Sequence, residues 1–269
     1  MFNKVFGLAA AALVGAALLA GPASADDAMA PMDVHWSFEG PFGHYDQEQL
    51  QRGYKVYREV CASCHAMNQV AFRNLGDPGA PFYDPKYPNS NDNPKVKAIA
   101  AEYKVADIDS DSGDAIKRPA TSADYFPSPY ANSAAASNAN GGAIPPDMSL
   151  LVKAREGGAA YIYSVVAKDG VMTPPHGMAV PAGRYYDPYK SGGVIAMPPP
   201  LVAGKVSYDD KTVASVDQEA KDVTAFLVWA ADPKMEERKQ TGLAVMIFLL
   251  LFAGLTYASY RKIWSTVGH

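Results

Sequence analysis

Two unbroken apolar runs sit at the ends of the chain, and between them lie helical-period patches separated by stretches rich in proline, glycine and tyrosine. The C-terminal run, GLAVMIFLLLFAGLTYASY (Gly242–Tyr260), carries no charge. As a helix it would extend roughly 28 Å at about 1.5 Å per residue, near the thickness of a bilayer's hydrocarbon core. Arg261, Lys262 and Trp264 follow as interface anchors. This pattern predicts a transmembrane anchor over 241–260 and a short cytoplasmic tail over 261–269. The N-terminal run reads as a cleaved signal peptide over 1–25: Lys4, an apolar stretch from Val5 to Ala20, then Pro22 and the small-residue site Ala23-Ser24-Ala25. An exported N-terminus followed by one span orients the chain with residues 26–240 outside and the tail inside.

Within 26–240 the 3.6-residue period recurs five times. Asp46 and Gln49 form a capping box ahead of Leu50, Tyr54, Tyr57 and Cys61. Asn93 and Pro94 open NPKVKAIAAEYKV as cap and first turn. Asp147 opens DMSLLVKAREGG, Ala159–Gly170 is a fourth helix ended by its glycine, and Ser215 with Gln218 caps SVDQEAKDVTAFLVWAADP. No run alternates convincingly as a strand, and the low-complexity stretch Ala131–Ala143 predicts a surface loop. The expected fold is mainly α: a few helices joined by long, proline-stiffened loops, which a large apolar cofactor would organise.

Charge narrows the partners. Residues 26–240 hold all 28 acidic residues against 21 Lys and Arg, a formal charge of −7. This disfavours nucleic acid and favours a basic partner. The acidic stretch EYKVADIDSDSGD, with Glu102, Asp107, Asp109, Asp111 and Asp114, is a candidate steering surface, although a solvated loop is the plainer reading.

Both cysteines of the chain lie in CASCH, Cys61 to His65. A Cys-x-x-Cys pair serves as a redox dithiol, half of a zinc site or a covalent haem attachment. The redox reading wants a preceding strand, where the pattern places a helix, and zinc would want two further ligands. His65 directly behind Cys64 suits one covalently bound haem c, with Cys61 and Cys64 on the vinyl groups and the His65 imidazole on the iron. For the opposite axial position the candidates are Met197, in AMPPPL where three prolines fix the backbone, and His176, in TPPHGM. With both axial positions filled by protein, the iron exchanges electrons rather than binding oxygen. A tethered carrier serving an oxidase shares these features, whereas a haem peroxidase needs an open iron position.

The signal peptide, CxxCH after an amphipathic helix, RPATSADYFPSPYANSAAASNANGGAIPPDMSLLVKAR, IAMPPPL, and DVTAFLVWAADPKMEERKQTG before the anchor together resemble the cytochrome c1 family. The resemblance covers essentially the whole mature chain. It implies a class I cytochrome c-like haem domain with long loop insertions, and His65 and Met197 as the axial pair. It also implies Arg118, before Pro119, as the counter-charge of a haem propionate. The implied role is the electron-transfer subunit of a bacterial quinol–cytochrome c reductase (bc1) complex in the inner membrane, not an enzyme on its own. Cytochrome b and a Rieske iron–sulfur protein would be its partners there. A soluble or tethered cytochrome c would accept its electrons on the periplasmic side. Some bacterial relatives staple a loop with an extra cysteine pair, which this chain lacks.

Overall fold

The computed structural model describes residues 28–168 and 170–265. The predicted signal peptide and the last residues of the predicted tail lie outside them. The described chain is mainly helical: α1 (Gln47–Glu59), α2 (Pro94–Ala101), α3 (Ser133–Ala139), α4 (Gly158–Val166), α5 (Val216–Ala231) and α6 (Met235–Trp264). Two small antiparallel hairpins accompany them, β1 (Lys104–Ile108) with β2 (Ala115–Pro119), and β3 (Tyr185–Tyr186) with β4 (Val194–Ile195).

The core is the crossing of α1 over α5. Asp46 caps α1 through Oδ1, which accepts from the Glu48 and Gln49 amides. Ser215 caps α5 by accepting from the Gln218 amide. Where the helices meet, an added Cβ on Gly53 would lie 2.0 Å from the Asp222 carbonyl oxygen, so only glycine permits this approach. Around the crossing, Tyr54 and Tyr57 each stand 5.7 Å from the Phe226 ring, and Phe126 bridges Tyr57 at 6.0 Å to Phe72 at 4.4 Å. Leu50, Val56, Phe72, Phe226 and Trp229 are fully buried, as a core filled by large side chains in fixed geometry requires.

Three local expectations are corrected. Residues 147–157, predicted helical, form successive turns. Their caps bind another segment instead of starting a helix: Asp147 accepts from the Asn68 amide at 2.8 Å, Ser149 Oγ from the Gln69 amide at 3.0 Å, and the Met148 amide donates to Ala66 at 2.8 Å. The stretch predicted as a loop, 131–143, holds α3, capped by Asn132 on the Ala135 amide. The helix expected to run on from Asn93 stops at Ala101, and Lys104 and Val105 enter β1, although no strand is expected there.

α6 is the one described helix long and apolar enough to cross a membrane, and its apolar window is unburied by the rest of the chain. It begins before the apolar run, at Met235, which packs into the domain's core.

Candidate haem-attachment site

α1 delivers the cysteine motif. The helix closes at Glu59, and a single 3-10 turn, Cys61–Ser63, carries the first thiol and is capped by Cys64, which hands on to His65. The Cys64 and His65 amides both donate to the Cys61 carbonyl, at 3.1 and 2.9 Å, which folds the five residues into one compact knuckle. Both cysteines are free and partly buried. Burial pushes the Cys61 thiol up to about 12, against a smaller opposing pull from Lys205. A redox or nucleophilic dithiol needs the reverse, a thiol whose pKa is depressed.

His65 is set up as a neutral ligand. Its Nδ1 lies 2.9 Å from the Pro146 carbonyl oxygen, which can only accept, so Nδ1 carries the proton and Nε2 keeps its lone pair. Burial holds the imidazole below its ordinary range, opposed in part by that hydrogen bond and by Asp147. The carbonyl is supplied by the Pro145-Pro146 step, and the turn that follows is tied to Ala66, Asn68 and Gln69 by the bonds of Met148, Asp147 and Ser149. An oriented imidazole beside two thiols one turn apart is a donor set that fits covalent haem. Among the described residues no cluster of three or more His, Cys, Asp or Glu side chains could hold a bare metal ion.

The methionines sort by burial. Met67 and Met148 belong to the core, with 0% and 6% exposure. Met197 is partly exposed and lies two residues beyond β4, where it lines a small cavity with Val165, Met172, Tyr185 and Tyr186. Pro198, Pro199 and Pro200 line the same cavity. His176, its rival, is exposed. Lys168, 9% exposed, reaches under this loop to Asp187, 0% exposed, with Nζ 2.7 Å from Oδ2. Nothing in the sequence marked this pair.

Arg118, on β2, donates to nearby carboxylates. Its Nη1 and Nη2 donate to Asp124 at 2.7 and 2.9 Å, Nε donates to Asp107, and Nη1 also donates to the Pro119 carbonyl. These bonds raise its pKa and hold the Asp124 carboxyl well below the usual range. Of the acidic stretch, Asp107 thus serves Arg118, Glu102 pairs with Arg58 at 2.7 Å, and Asp109 accepts the Asp111 and Ser112 amides of its own turn. Among the described residues Asp111 and Asp114 form no ion pair.

The family model for the cytochrome C1 family matches residues 36–267. The chain belongs to the cytochrome c1 family. It is 43% identical over 248 residues to the cytochrome c1 of Rhodospirillum rubrum, covering 87% of each chain. To a protein named cytochrome b/c1 from Bradyrhizobium diazoefficiens it is 45% identical over 252 residues, 87% of this chain but 36% of that one. The chain thus spans about a third of that relative's length. The mitochondrial heme protein cytochrome c1 of Saccharomyces cerevisiae is 45% identical over 214 residues, 80% of this chain and 65% of the yeast one. Family membership and the helical architecture together support a c-type cytochrome fold.

Proposed function

We propose that this chain is the membrane-anchored electron-transfer subunit of a quinol–cytochrome c reductase, taking electrons from a Rieske iron–sulfur protein and passing them to a soluble or tethered cytochrome c. The observation that carries the reading is the His65 imidazole, held neutral with Nδ1 on Pro146 and Nε2 open, directly behind two free thiols. A relative whose name joins cytochrome b and c1 supports cytochrome b as a neighbour.

Haem, when bound, supplies a one-electron iron couple whose potential follows its axial ligands. Cys61 and Cys64 would hold it through thioethers, His65 through Nε2 and Met197 through its sulfur. The Pro146 carbonyl fixes the ring of His65 and strengthens its donor nitrogen. The triple proline after Met197 removes three amide donors and fixes φ, so the loop has few conformations in which to withdraw the sulfur. Arg118 gives most of its donors to Asp124 and Asp107, and its assignment to a propionate rests on the resemblance alone. Insertions into the c-type domain would account for the separation of His65 from Met197, the segment between them holding α2, α3, α4 and both hairpins. The haem domain would face the periplasm, with the end of α6 on the cytoplasmic side.

Met197→Leu and Met197→Lys test the ligand set. Both should retain covalent haem and lower its midpoint potential in a redox titration. A potential equal to wild type in both would remove Met197. Purification in mild detergent tests the assembly: cytochrome b and an iron–sulfur protein should accompany the chain, and their absence would favour an independent carrier.

A further inference from the structure

The turn Gly40–Gly43 is a fixed, exposed knuckle whose position follows from the way α6 is clasped. The Gly43 amide bonds back to Gly40 at 3.5 Å and the His44 amide to Ser37 at 3.0 Å. A Cβ on Gly43 would fall 2.1 Å from the Glu39 carbonyl oxygen, so the turn closes only with glycine there. Beneath it Phe38 stacks on Trp36 at 5.4 Å and meets Tyr45 at 5.9 Å. On this rigid base Phe42 stands 78% exposed, with Pro41 exposed beside it.

Contacts to α6 give the turn its height along that helix. The Tyr45 hydroxyl donates to the Asp232 carbonyl at 3.0 Å, and the Tyr45 amide donates to Glu236 Oε1 at 2.7 Å. Both ends of the turn meet the next residues of that helix: Lys239 Nζ donates to the carbonyls of Phe38 and Gly43, at 2.7 and 3.2 Å. The turn is thus held at both ends by the part of α6 that lies just before the apolar run starting at Gly242. Phe42 adjoins Gly43 in the chain. Leu243 lies only about 6 Å beyond Lys239 along the helix at roughly 1.5 Å per residue.

We propose that the Gly40–Gly43 turn is a second membrane contact of this domain, with Phe42 seated at the headgroup–acyl boundary of the leaflet that α6 enters. An apolar ring such as phenylalanine's is suited to burial at the headgroup–acyl boundary. The phospholipid surface is favoured as occupant because the turn is bonded to the helix that enters it and Phe42 has no apolar cover among the described residues. A second contact beside the span would also fix the domain's rotation about the α6 axis, which a single helix leaves open.

The test uses the full haem-loaded chain, with whatever subunits purify alongside it, reconstituted in phosphatidylcholine–phosphatidylglycerol vesicles. Under the reading above, haem engages both native thiols, so Phe42→Cys offers a single site for a nitroxide label. Collision with oxygen, which concentrates in lipid, is compared with a water-soluble nickel chelate. Labels at Leu250→Cys, inside the run, and at Val213→Cys, 81% exposed outside the helices and strands, give the lipid and water references. The expected oxygen-to-nickel ratio at position 42 is several-fold above that at 213 and shifted toward that at 250. A ratio equal to that at 213 overturns the proposal. Low access to both reagents overturns it too, since a protein partner would then cover the turn. A water-like ratio at 250 would mean that α6 does not span, and the proposal would fall with that reading.

Discussion

At the scale of single residues, the chain spends burial on groups that normally resist it, and His65 and Glu219 show two outcomes. His65 is compensated by one carbonyl and stays a usable base. Glu219, on α5, is 0% exposed and neither carboxylate oxygen has an aligned hydrogen bond. Desolvation raises its pKa, with the Val206 amide and Lys205 offsetting only part of it and the Asp222 charge adding to it. The consequence for stability has a definite sign. Below the ordinary glutamate range the carboxyl is neutral in both folded and unfolded chains, and its ionisation contributes nothing to stability. As pH rises above about 4.5 the unfolded chain ionises first, so stability is lost until the raised folded value is passed. Glu219→Gln should therefore gain on wild type in thermal midpoint as pH rises above about 4.5, until the raised folded value is passed. A constant difference across that range would show that Glu219 does not carry the slope. Neither partner could be read from the sequence. The CASCH motif advertises its chemistry because the thiols and the imidazole are local, whereas the Pro146 carbonyl lies 81 residues away. Glu219 sits in a capped amphipathic pattern where an acidic residue in the first turn looks solvated.

Elements were legible where an apolar stripe and a cap coincide, as in α1 and α5, and illegible where the inward positions are charged. β1 alternates in burial, but its inward residues are Val105 and Asp107, and Asp107 is answered by Arg118 on β2, so no apolar alternation betrays the hairpin. The same logic governs the segment before Met197. Asp187 accepts from the Tyr189 amide at 3.0 Å, meets Lys168 at 2.7 Å, and through its own amide bonds the Gly193 carbonyl at 3.0 Å. A buried ion pair thus joins the end of α4 to the β3–β4 hairpin that leads into Met197. Asp187→Asn would leave the Lys168 charge buried without a counter-charge, a loss of about 3–5 kcal/mol for pairs of this kind. Denaturant unfolding should show that loss. If Met197 is the sulfur ligand, the haem potential should drop in the same variant. Lys168→Met combined with Asp187→Leu removes both charges and should recover most of the stability, since apolar replacements of buried pairs are often neutral. Should Asp187→Asn leave both stability and potential at wild-type values, the pair does not hold the loop.

For the whole molecule, the question is where the haem domain ends and the anchor begins, and the apolar run alone answers it misleadingly. Hydropathy marks Gly242, but α6 starts at Met235 and its first turns are part of the domain. The Met235 side chain is 5% exposed in the core, Glu236 takes the Tyr45 amide, and Lys239 closes on Phe38 and Gly43. Charged residues in those turns look like a solvated linker in sequence. In the fold they clasp the strap that precedes α1. Two truncations separate the views. Ending the chain at Thr241 removes the apolar run and keeps the clasp, and should give a water-soluble domain with covalent haem and near-native thermal stability. Ending it at Pro233 also removes Met235, worth about 1.5–3 kcal/mol of apolar burial. The same cut deletes the Glu236 hydrogen bond, worth about 1.5–3 kcal/mol for a charged acceptor. The shorter product should therefore melt several degrees lower under identical conditions. Equal melting temperatures would place the boundary before Met235 and make the clasp incidental. Loss of haem from the longer product would instead mean that α6 is required for the domain to hold its cofactor.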